Sequence, residues 1–518
     1  MALRPRSATD FLARAMSSAT VYVSRQKPAR PRVFIAADAS APGTTKFRPD
    51  IEGLRAVSVV LVVLYHAGIA PFTGGYIGVD VFFVISGFLI TRMLFGELET
   101  TRRINVARFY ARRATRLLPA STLVVAATVL ASRIWLPPTR LPSIDFDALS
   151  SLGYVVNFRM AAQGINYLSA TAAPSPLQHL WSLSVEEQFY LVWPTLLVVC
   201  SLAWRWRQNT FNRWTVVTAV VAIALGSFTL GVWQTAQAAP WAYFGSQTRA
   251  WELAVGALVA LLAEQLSAMR RSVAAILTWL GLAGVVASAV IFTAATPFPG
   301  VAAALPVLSA AALIAGGCAA PAGGAVIVLG VRPFQWIGKL SYGWYLWHWP
   351  ALMIVPIALG INASPAVNLA IAVAALGPAV VSYYLVENPI RHSRPLTVKA
   401  WKGIGLGVAA SSLVAGVTVT LLALSPSLAG IGQATDTRAA LDASANPSVS
   451  LQALLTAAAT DQEVPRNLTP KLTAAAADSP ILYADGCHLG FTATWPTGPC
   501  TFGDVTATKT VVLFGDSH

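Results

Sequence analysis

His66 is the residue with the clearest potential for chemistry, because it is an ionisable side chain inside an apolar stretch. It follows Tyr65 directly and comes eleven positions after Arg55. Charge at membrane depth is costly, so such a residue normally faces a protein interior or a water-filled cavity. Imidazole titrates nearest neutral pH and can accept a proton from a hydroxyl nucleophile. The pattern supports two interpretations equally: a general base, or a histidine hydrogen-bonded within a helix bundle.

Two positions supply carboxylates that could act beside this histidine. Asp80 lies in a glycine-rich run, residues 74–90, where glycines allow close backbone approach. A structural helix contact is the favoured interpretation of Asp80, and orientation of His66, as in catalytic triads, is the alternative. Glu186 and Glu187 are adjacent and point about 100° apart on a helix, so they cannot both face one partner. One could orient an acceptor or stabilise the cationic form of His66, while the other lies near solvent.

Arginines cluster in residues 108–116, and Arg113 and Arg116 share a helical face at i, i+3 spacing. The planar guanidinium suits phosphate groups, and a nucleotide-bearing donor such as acyl-coenzyme A needs a phosphate clamp. The alternative is a topology signal in contact with anionic lipid headgroups. A further histidine, His348, lies in an aromatic-rich stretch, and we interpret it as a packed interfacial histidine.

The composition places these residues in a membrane protein. Of the 518 residues, 55% are hydrophobic and only 11% are charged, whereas soluble domains carry about 25% charged residues. Apolar stretches of roughly 17–25 residues recur, and each is long enough to cross a bilayer as a helix. The formal charge of +14 does not indicate a nucleic-acid partner, because the basic residues lie between the apolar stretches.

The apolar stretches predict an all-α polytopic fold with eleven spans, about ten in one bundle and an eleventh as a linking helix. Lysine and arginine concentrate in alternate loops, whereas the short loops 73–75, 235–247, 294–300 and 361–364 contain neither. The positive-inside rule then predicts a cytoplasmic N-terminus, with residues 1–47 as a disordered basic tail, and an extracytoplasmic C-terminus. The spans are predicted near residues 55–72, 76–96, 117–136, 181–204, 214–234, 248–264, 273–293, 301–319, 341–360, 365–386 and 401–424.

The motifs, taken in order, closely resemble membrane-bound acyltransferase family 3, which modifies sugars, peptidoglycan and lipids of bacterial envelopes. The motifs are Arg-x10-His at 55–66, Gly-Tyr-Ile-Gly-Val-Asp-Val-Phe-Phe-Val-Ile-Ser-Gly-Phe at 75–88, Arg-Arg-x-x-Arg-x-x-Pro at 112–119, Trp-Ser-Leu-Ser-Val-Glu-Glu-Gln-Phe-Tyr at 181–190, Ser-Tyr-Gly-Trp-Tyr-Leu-Trp-His at 341–348 and Val-Glu-Asn-Pro at 386–389. The resemblance covers about residues 47–395 and implies a transmembrane acyltransferase domain at 48–395, followed by the linking helix at 396–425.

The resemblance also implies roles for individual residues. His66 is expected to be the catalytic base, with Arg55 in the Arg-to-His motif. Arg113 and Arg116 match a motif associated with the acyl-coenzyme A donor. Glu186 matches the acidic position after Trp-Ser-Leu better than Glu187 does. With Asp80 retained as a candidate beside His66 and Glu186, these are the expected site residues, and no metal or permanently bound cofactor is expected.

The C-terminal part resembles the subset of the family that is fused to an extracytoplasmic SGNH hydrolase-like domain. Residues 426–480 are rich in Ala, Thr, Ser, Asp and Pro and predict a linker. Residues 481–518 are expected to begin the α/β domain, with a strand at Thr510–Phe514 and Ser517 as its nucleophile. The base and oxyanion hole of such a hydrolase come later in the chain, so the domain is expected to be incomplete. In an oxidising compartment Cys487 and Cys500 are expected to pair.

The sequence therefore predicts a multi-pass cell-membrane O-acyltransferase. Its expected donor is acyl-coenzyme A, with acetyl as the expected acyl group, and its expected acceptor is a hydroxyl of an envelope polysaccharide, glycolipid or peptidoglycan. Direct transfer and an acyl-histidine intermediate both fit the sequence. The alternatives are a polytopic transporter, which the same spans and buried charges would fit although no internal repeat is visible, and an inactive remnant of a fused acyltransferase.

Overall fold

The computed structural model describes residues 47–164, 173–206, 213–424 and 436–460, together with scattered residues between 468 and 511. Within these residues every regular element is helical. We label the helices of the bundle α1 to α13, as follows: α1 Pro49–His66, α2 Gly78–Thr101, α3 Val106–Trp135, α4 Leu141–Leu152, α5 Val156–Gly164, α6 Trp181–Trp206, α7 Arg213–Gln237, α8 Ser246–Leu261, α9 Arg271–Ile291, α10 Ala304–Ala319, α11 Arg332–Leu359, α12 Pro365–Arg391 and α13 Ala400–Ala423.

A helix is present at each of the eleven predicted spans. Six of the described helices are long and apolar enough to cross a membrane: α2, α3, α7, α9, α12 and α13. Three of the other helices fall short for identifiable reasons. α8 and α10 have 16 residues each, and α1 carries three charged residues near its start, Asp50, Glu52 and Arg55. Several membrane-spanning helices are therefore supported, and the count of eleven stays a prediction.

The structure corrects three boundaries. The predicted first span, 55–72, is helical only to His66, which is the last residue of α1 rather than an interior one. The predicted loop 97–116 contains the first turns of α3, because the side chain of Asn105 accepts a hydrogen bond from the Arg108 amide at 2.9 Å and caps a new helix. The predicted segment 137–180 contains α4 and α5, which are too short to be recognised as apolar spans.

Glycines hold α1 close to its two neighbours. A Cβ atom on Gly78 of α2 would lie 2.3 Å from the Ser58 carbonyl oxygen, and a Cβ on Gly338 of α11 would lie 2.0 Å from the Glu52 carbonyl oxygen. Backbones can approach this closely only where a side chain is missing. The glycine contacts therefore fix α1 between α2 and α11.

The C-terminal predictions are tested only in part. The structure joins Cys487 and Cys500 by a disulfide, with the two Cα atoms 5.5 Å apart, as expected. Ser517 and most of the predicted strand Thr510–Phe514 lie outside the described residues.

Candidate active site

Two histidines from different helices meet at the end of α1. The Nδ1 atom of His66 lies 2.9 Å from the Nε2 atom of His348 on α11. The two imidazole rings are nearly parallel, and the Trp349 ring lies 4.5 Å from His66 between ring centroids. His348 is fully buried. His348 is therefore packed, as expected, and it also contacts the candidate base, which its interpretation as an interfacial histidine did not include.

The hydrogen bonds of His348 decide which nitrogen of His66 is free. His348 Nδ1 lies 2.7 Å from the Tyr345 carbonyl oxygen and 3.1 Å from that of Trp344. Since carbonyl oxygens only accept, this nitrogen carries the proton and donates. In neutral His348 the Nε2 atom is then an acceptor, so His66 donates to it through Nδ1. The Nε2 atom of His66 keeps its lone pair, which is the state that a general base requires.

A third histidine packs beside this pair for a reason that the sequence contains. Pro350 has no amide hydrogen, so the Leu346 carbonyl four residues earlier has no helical partner in α11. The Nε2 atom of His179 donates to that carbonyl oxygen at 3.1 Å. The His179 ring lies 5.9 Å from the His348 ring between centroids. Because of Pro350, His179, which lies just before α6, can hydrogen-bond to the turn of α11 that carries His348.

His66 lines a cavity of about 150 Å³ that we call the histidine cavity. Polar side chains around it include the hydroxyl groups of Tyr65 and Tyr76 and the amide of Gln178. Aromatic rings supply much of the remaining wall. Its full lining is Val62, Tyr65, His66, Tyr76, Val79, Gln178, His179, Trp181, Tyr243, Tyr345 and Trp349. The cavity is large enough for a small group of atoms to be placed against His66.

A second cavity, of about 80 Å³, is lined by all three predicted arginines, and we call it the arginine cavity. Arg55, Arg113 and Arg116 line it together with one carboxylate, Glu186. Arg55 forms an ion pair with Glu52 at 3.2 Å, and the Arg113 guanidinium lies 4.5 Å from the centroid of the Tyr190 ring. Within the lining itself three guanidinium groups face one carboxylate, while Glu52, Glu187 and Glu387 lie near these arginines outside the lining. The guanidinium groups of the lining are suited to an anion, and to phosphate groups in particular.

The two glutamates lie where the sequence did not place them. Glu186 accepts hydrogen bonds from the hydroxyl groups of Ser86 and Tyr190 and lines the arginine cavity, not the histidine cavity. One of the two was expected near solvent, but the Oε1 atom of Glu187 is also buried, and Glu187 lies within electrostatic range of Arg113. Stabilisation of His66 by either glutamate is not supported by these positions.

Asp80 belongs to a buried ion cluster. Its Oδ1 atom accepts a hydrogen bond from Arg249 Nη2 of α8 at 2.8 Å, and Arg249 Nε lies 2.9 Å from Glu252 Oε1. All three side chains are almost completely buried. His348, not Asp80, is the hydrogen-bonding partner of His66 among the described residues. The arrangement agrees with the structural interpretation of Asp80, since the cluster ties α2 to α8.

Helix α1 connects the two cavities. His66 lies eleven positions after Arg55, which corresponds to about three helical turns and about 16 Å along the helix axis at 1.5 Å per residue. Residues eleven apart return to nearly the same face of a helix. Arg55 therefore lines the arginine cavity and His66 the histidine cavity from one side of the same helix.

The comparison with known families agrees with this arrangement. A family model described as an acyltransferase domain matches residues 48–387, well over half of the chain. The chain belongs to acyltransferase family 3. The matched region contains both cavities and both members of the histidine pair.

Curated members of acyltransferase family 3 are similar to this chain over most of its length. The peptidoglycan O-acetyltransferase OatA of Listeria monocytogenes is 33% identical over 359 residues, which are 67% of this chain and 56% of that protein. The O-acetyltransferase OatA of Staphylococcus aureus strain MRSA252 is 30% identical over 393 residues, which are 74% of this chain and 62% of that protein. The chain thus spans less than two thirds of the length of either relative. No solved structure matches this member of the family.

Sequence reasoning missed the roles of two histidines at this site. His348 was interpreted as a packed interfacial histidine, and His179 was given no role. A signal for one of them was present, because Pro350 predicts a free carbonyl at Leu346 that needs a donor. The pairing of His348 with His66 joins residues 282 positions apart. No local pattern indicates such a contact.

Proposed function

We propose that this chain is a multi-pass membrane O-acetyltransferase that moves an acetyl group from acetyl-coenzyme A to a hydroxyl of a cell-envelope glycan. The observation that carries the proposal is the His66–His348 pair, which leaves the Nε2 lone pair of His66 free beside a cavity. Family membership supports the acyl transfer, and the arginine cavity supports a phosphate-bearing donor.

The donor is proposed to bind with its phosphates at Arg55, Arg113 and Arg116. Guanidinium groups bind phosphate oxygens in pairs of parallel hydrogen bonds. The extended pantetheine arm of coenzyme A is comparable in length to the separation of Arg55 and His66 on α1. The thioester can therefore reach the histidine cavity while the nucleotide stays at the arginines.

The proposed chemistry is one proton transfer in each direction around a tetrahedral intermediate. His66 Nε2 accepts the proton of the acceptor hydroxyl as its oxygen attacks the thioester carbonyl carbon. The resulting oxyanion is stabilised by the cavity donors Tyr65, Tyr76 and Gln178. The carbon–sulfur bond then breaks, and the departing thiolate takes the proton back from His66 Nε2. Throughout, His348 accepts the Nδ1 hydrogen bond and holds the imidazole in orientation.

The acceptor is proposed to be peptidoglycan or a related envelope glycan. The supporting fact is that the Listeria monocytogenes relative is named a peptidoglycan O-acetyltransferase. The aromatic lining of the histidine cavity, which includes Trp181 and Trp349, suits the apolar faces of sugar rings.

We extend the proposal to the whole chain. Ten spans form the acyltransferase bundle, α13 is the eleventh, the N-terminus is cytoplasmic and the C-terminus is extracytoplasmic. Residues 481–518 open an SGNH hydrolase-like domain in which Ser517 is the nucleophile. The disulfide between Cys487 and Cys500 supports an oxidising compartment for this segment.

The proposal is tested with membranes that contain the chain and acetyl-coenzyme A labelled in the acetyl group. We expect label to enter envelope material, and we expect His66→Ala to abolish this incorporation at equal expression. The matched control is His392→Ala, which removes an exposed histidine that lines neither cavity. Label incorporation that persists in His66→Ala would contradict the mechanism. Loss of incorporation in His392→Ala as well would mean that the assay reports folding and not catalysis.

A further inference from the structure

The two cavities share part of their walls. Val79 of α2 and Tyr345 of α11 line the arginine cavity on one side and the histidine cavity on the other. Both side chains are nearly buried. The remaining lining residues of the two cavities differ. Val79 and Tyr345 therefore lie at the boundary between the two cavities.

Hydrogen bonds hold the Tyr345 side chain in this position. Its hydroxyl donates to the His179 carbonyl oxygen at 2.8 Å and lies 2.7 Å from Ser182 Oγ. His179 lies in the turn that leads into α6 and Ser182 in the first turn of α6, so the hydroxyl links α11 to the start of α6. Val79 has no polar group and cannot be held in this way. Of the two shared residues, Tyr345 is the one with a defined closed position.

Tyr345 is also connected to the catalytic pair through its backbone. Its carbonyl oxygen accepts the Nδ1 hydrogen bond of His348 at 2.7 Å. Ser341, four residues earlier, lines the arginine cavity. One face of α11 thus carries Ser341, Tyr345 and His348 in order from the arginines toward the base. Residues at these spacings lie above one another on a helix.

We infer that the Tyr345 side chain is a movable partition between the two cavities. It opens to admit the acyl thioester to His66, and when it is closed it keeps water in the histidine cavity away from the thioester. This inference rests on the proposed function, in which the phosphates stay at the arginines and the thioester reacts in the histidine cavity. A transferase that lets water reach a thioester beside a general base hydrolyses its donor. Exclusion of water by a closing side chain prevents that side reaction.

The inference is tested first by the ratio of hydrolysis to transfer. Tyr345→Phe keeps the ring and removes both hydrogen bonds, and Tyr345→Ala removes the partition. Two hydrogen bonds of ordinary strength correspond to a shift of about 5- to 150-fold in the closed-to-open equilibrium. We expect acetyl-coenzyme A hydrolysis without acceptor to rise by a factor in this range in Tyr345→Phe, with a larger rise relative to transfer in Tyr345→Ala. Tyr384→Phe, an exposed tyrosine outside both cavities, is the matched control.

A second measurement detects the passage without any turnover. Ser341→Cys places a thiol in the arginine cavity, in a background where Cys200 and Cys318 are replaced by alanine. A small charged methanethiosulfonate reagent is applied to intact cells and, separately, to inside-out vesicles. In intact cells the reagent enters from the envelope side, through the histidine cavity. From that side we expect the thiol to be protected in the parent and to become reactive when Tyr345→Ala is added.

The outcomes are distinct. Hydrolysis and transfer that fall together in both Tyr345 variants, with unchanged thiol protection, would overturn the partition and assign Tyr345 to packing alone. If the unmodified chain and His66→Ala both fail to turn over acetyl-coenzyme A, the proposed function fails. In that case the change or constancy of thiol protection still decides whether Tyr345 separates the cavities.

Discussion

The hydrogen-bonding partner of His66 is a second histidine, His348, and not a carboxylate. In a serine protease triad an aspartate accepts the Nδ1 hydrogen of the catalytic histidine. Here the Nε2 atom of His348 accepts it, and two backbone carbonyls fix the tautomer of His348 in turn. A neutral acceptor stabilises the cationic form of His66 less than a carboxylate does. It still selects the tautomer whose free nitrogen faces the cavity.

The first residue-scale prediction concerns His348. His348→Ala removes the acceptor for His66 Nδ1, so the imidazole loses its orientation and its tautomer preference. We expect the turnover rate to fall by about 10²- to 10⁴-fold, the range that a positioned general base contributes, with little change in the KM for acetyl-coenzyme A. His348→Gln places an amide oxygen near the same point and should restore part of the rate. An equal loss in both variants at full expression would argue that His348 only packs.

Arg113 and Arg112 offer a matched pair for the donor site. Arg113 lines the arginine cavity, while its neighbour Arg112 points elsewhere and contacts Met93. Because a hydrogen bond to a charged group is worth about 1.5–3 kcal/mol, we expect Arg113→Ala to raise the KM for acetyl-coenzyme A by roughly 10- to 150-fold. Arg112→Ala should leave this KM close to that of the parent. Steady-state kinetics with varied donor measure both, and equal effects would refute a specific phosphate contact at Arg113.

At the scale of helices, close glycine contacts determine where the site residues stand. A Cβ on Gly87 of α2 would lie 1.9 Å from the Leu253 carbonyl oxygen, and one on Gly256 of α8 would lie 2.0 Å from the Val84 carbonyl oxygen. The same two helices carry the ion pair between Asp80 and Arg249. The close backbone contact and the ion pair together fix α2 against α8. Helix α2 in turn packs against α1.

Gly87 and Gly96 test this contact on a single helix. Gly87→Ala puts a methyl group against backbone, which cannot move aside cheaply, and overpacking of this kind costs about 1–3 kcal/mol. Gly96→Ala places the same group where nothing lies within 4 Å. We expect Gly87→Ala to lower the thermal unfolding midpoint of the protein in detergent, and Gly96→Ala to leave it unchanged or raise it slightly. Equal midpoints would mean that α2 and α8 are not in backbone contact.

Helix positions were predictable from sequence to the extent that they depend on local hydropathy. Apolar runs located all eleven long segments, but α4 and α5 were missed because short helices against a bundle have no span-length signal. The start of α3 was missed because its first turns are rich in arginine, and the capping residue Asn105 was the available clue. The three arginines predicted for the donor site line one cavity, and two of them share a helical face while the third lies in a motif with His66.

Contacts across the whole molecule were not predictable in the same way. The sequence offered Asp80 and Glu186 as partners of His66, and the structure pairs Asp80 with Arg249 and puts Glu186 in the arginine cavity. Both contacts join residues far apart in the chain, where a single sequence has no periodicity to connect them. The disulfide between Cys487 and Cys500 was expected from the oxidising compartment that the family resemblance implies.

The orientation of the molecule is a prediction of the charge pattern alone, and it can be tested with single cysteines. The background replaces Cys200 and Cys318 by alanine, and the disulfide between Cys487 and Cys500 is unreactive toward maleimides while it is intact. Ala295 and Ala268 are both exposed, in two loops on opposite sides of the predicted bilayer.

We expect Ala295→Cys, in a loop without lysine or arginine, to react with a membrane-impermeant maleimide in intact cells. Ala268→Cys, next to Arg270 and Arg271, should react only after permeabilisation. This result would place the histidine cavity toward the envelope and the arginine cavity toward the cytoplasm, where acetyl-coenzyme A is made. The reverse labelling would invert the molecule, and a donor confined to the cytoplasm could then no longer reach the arginines.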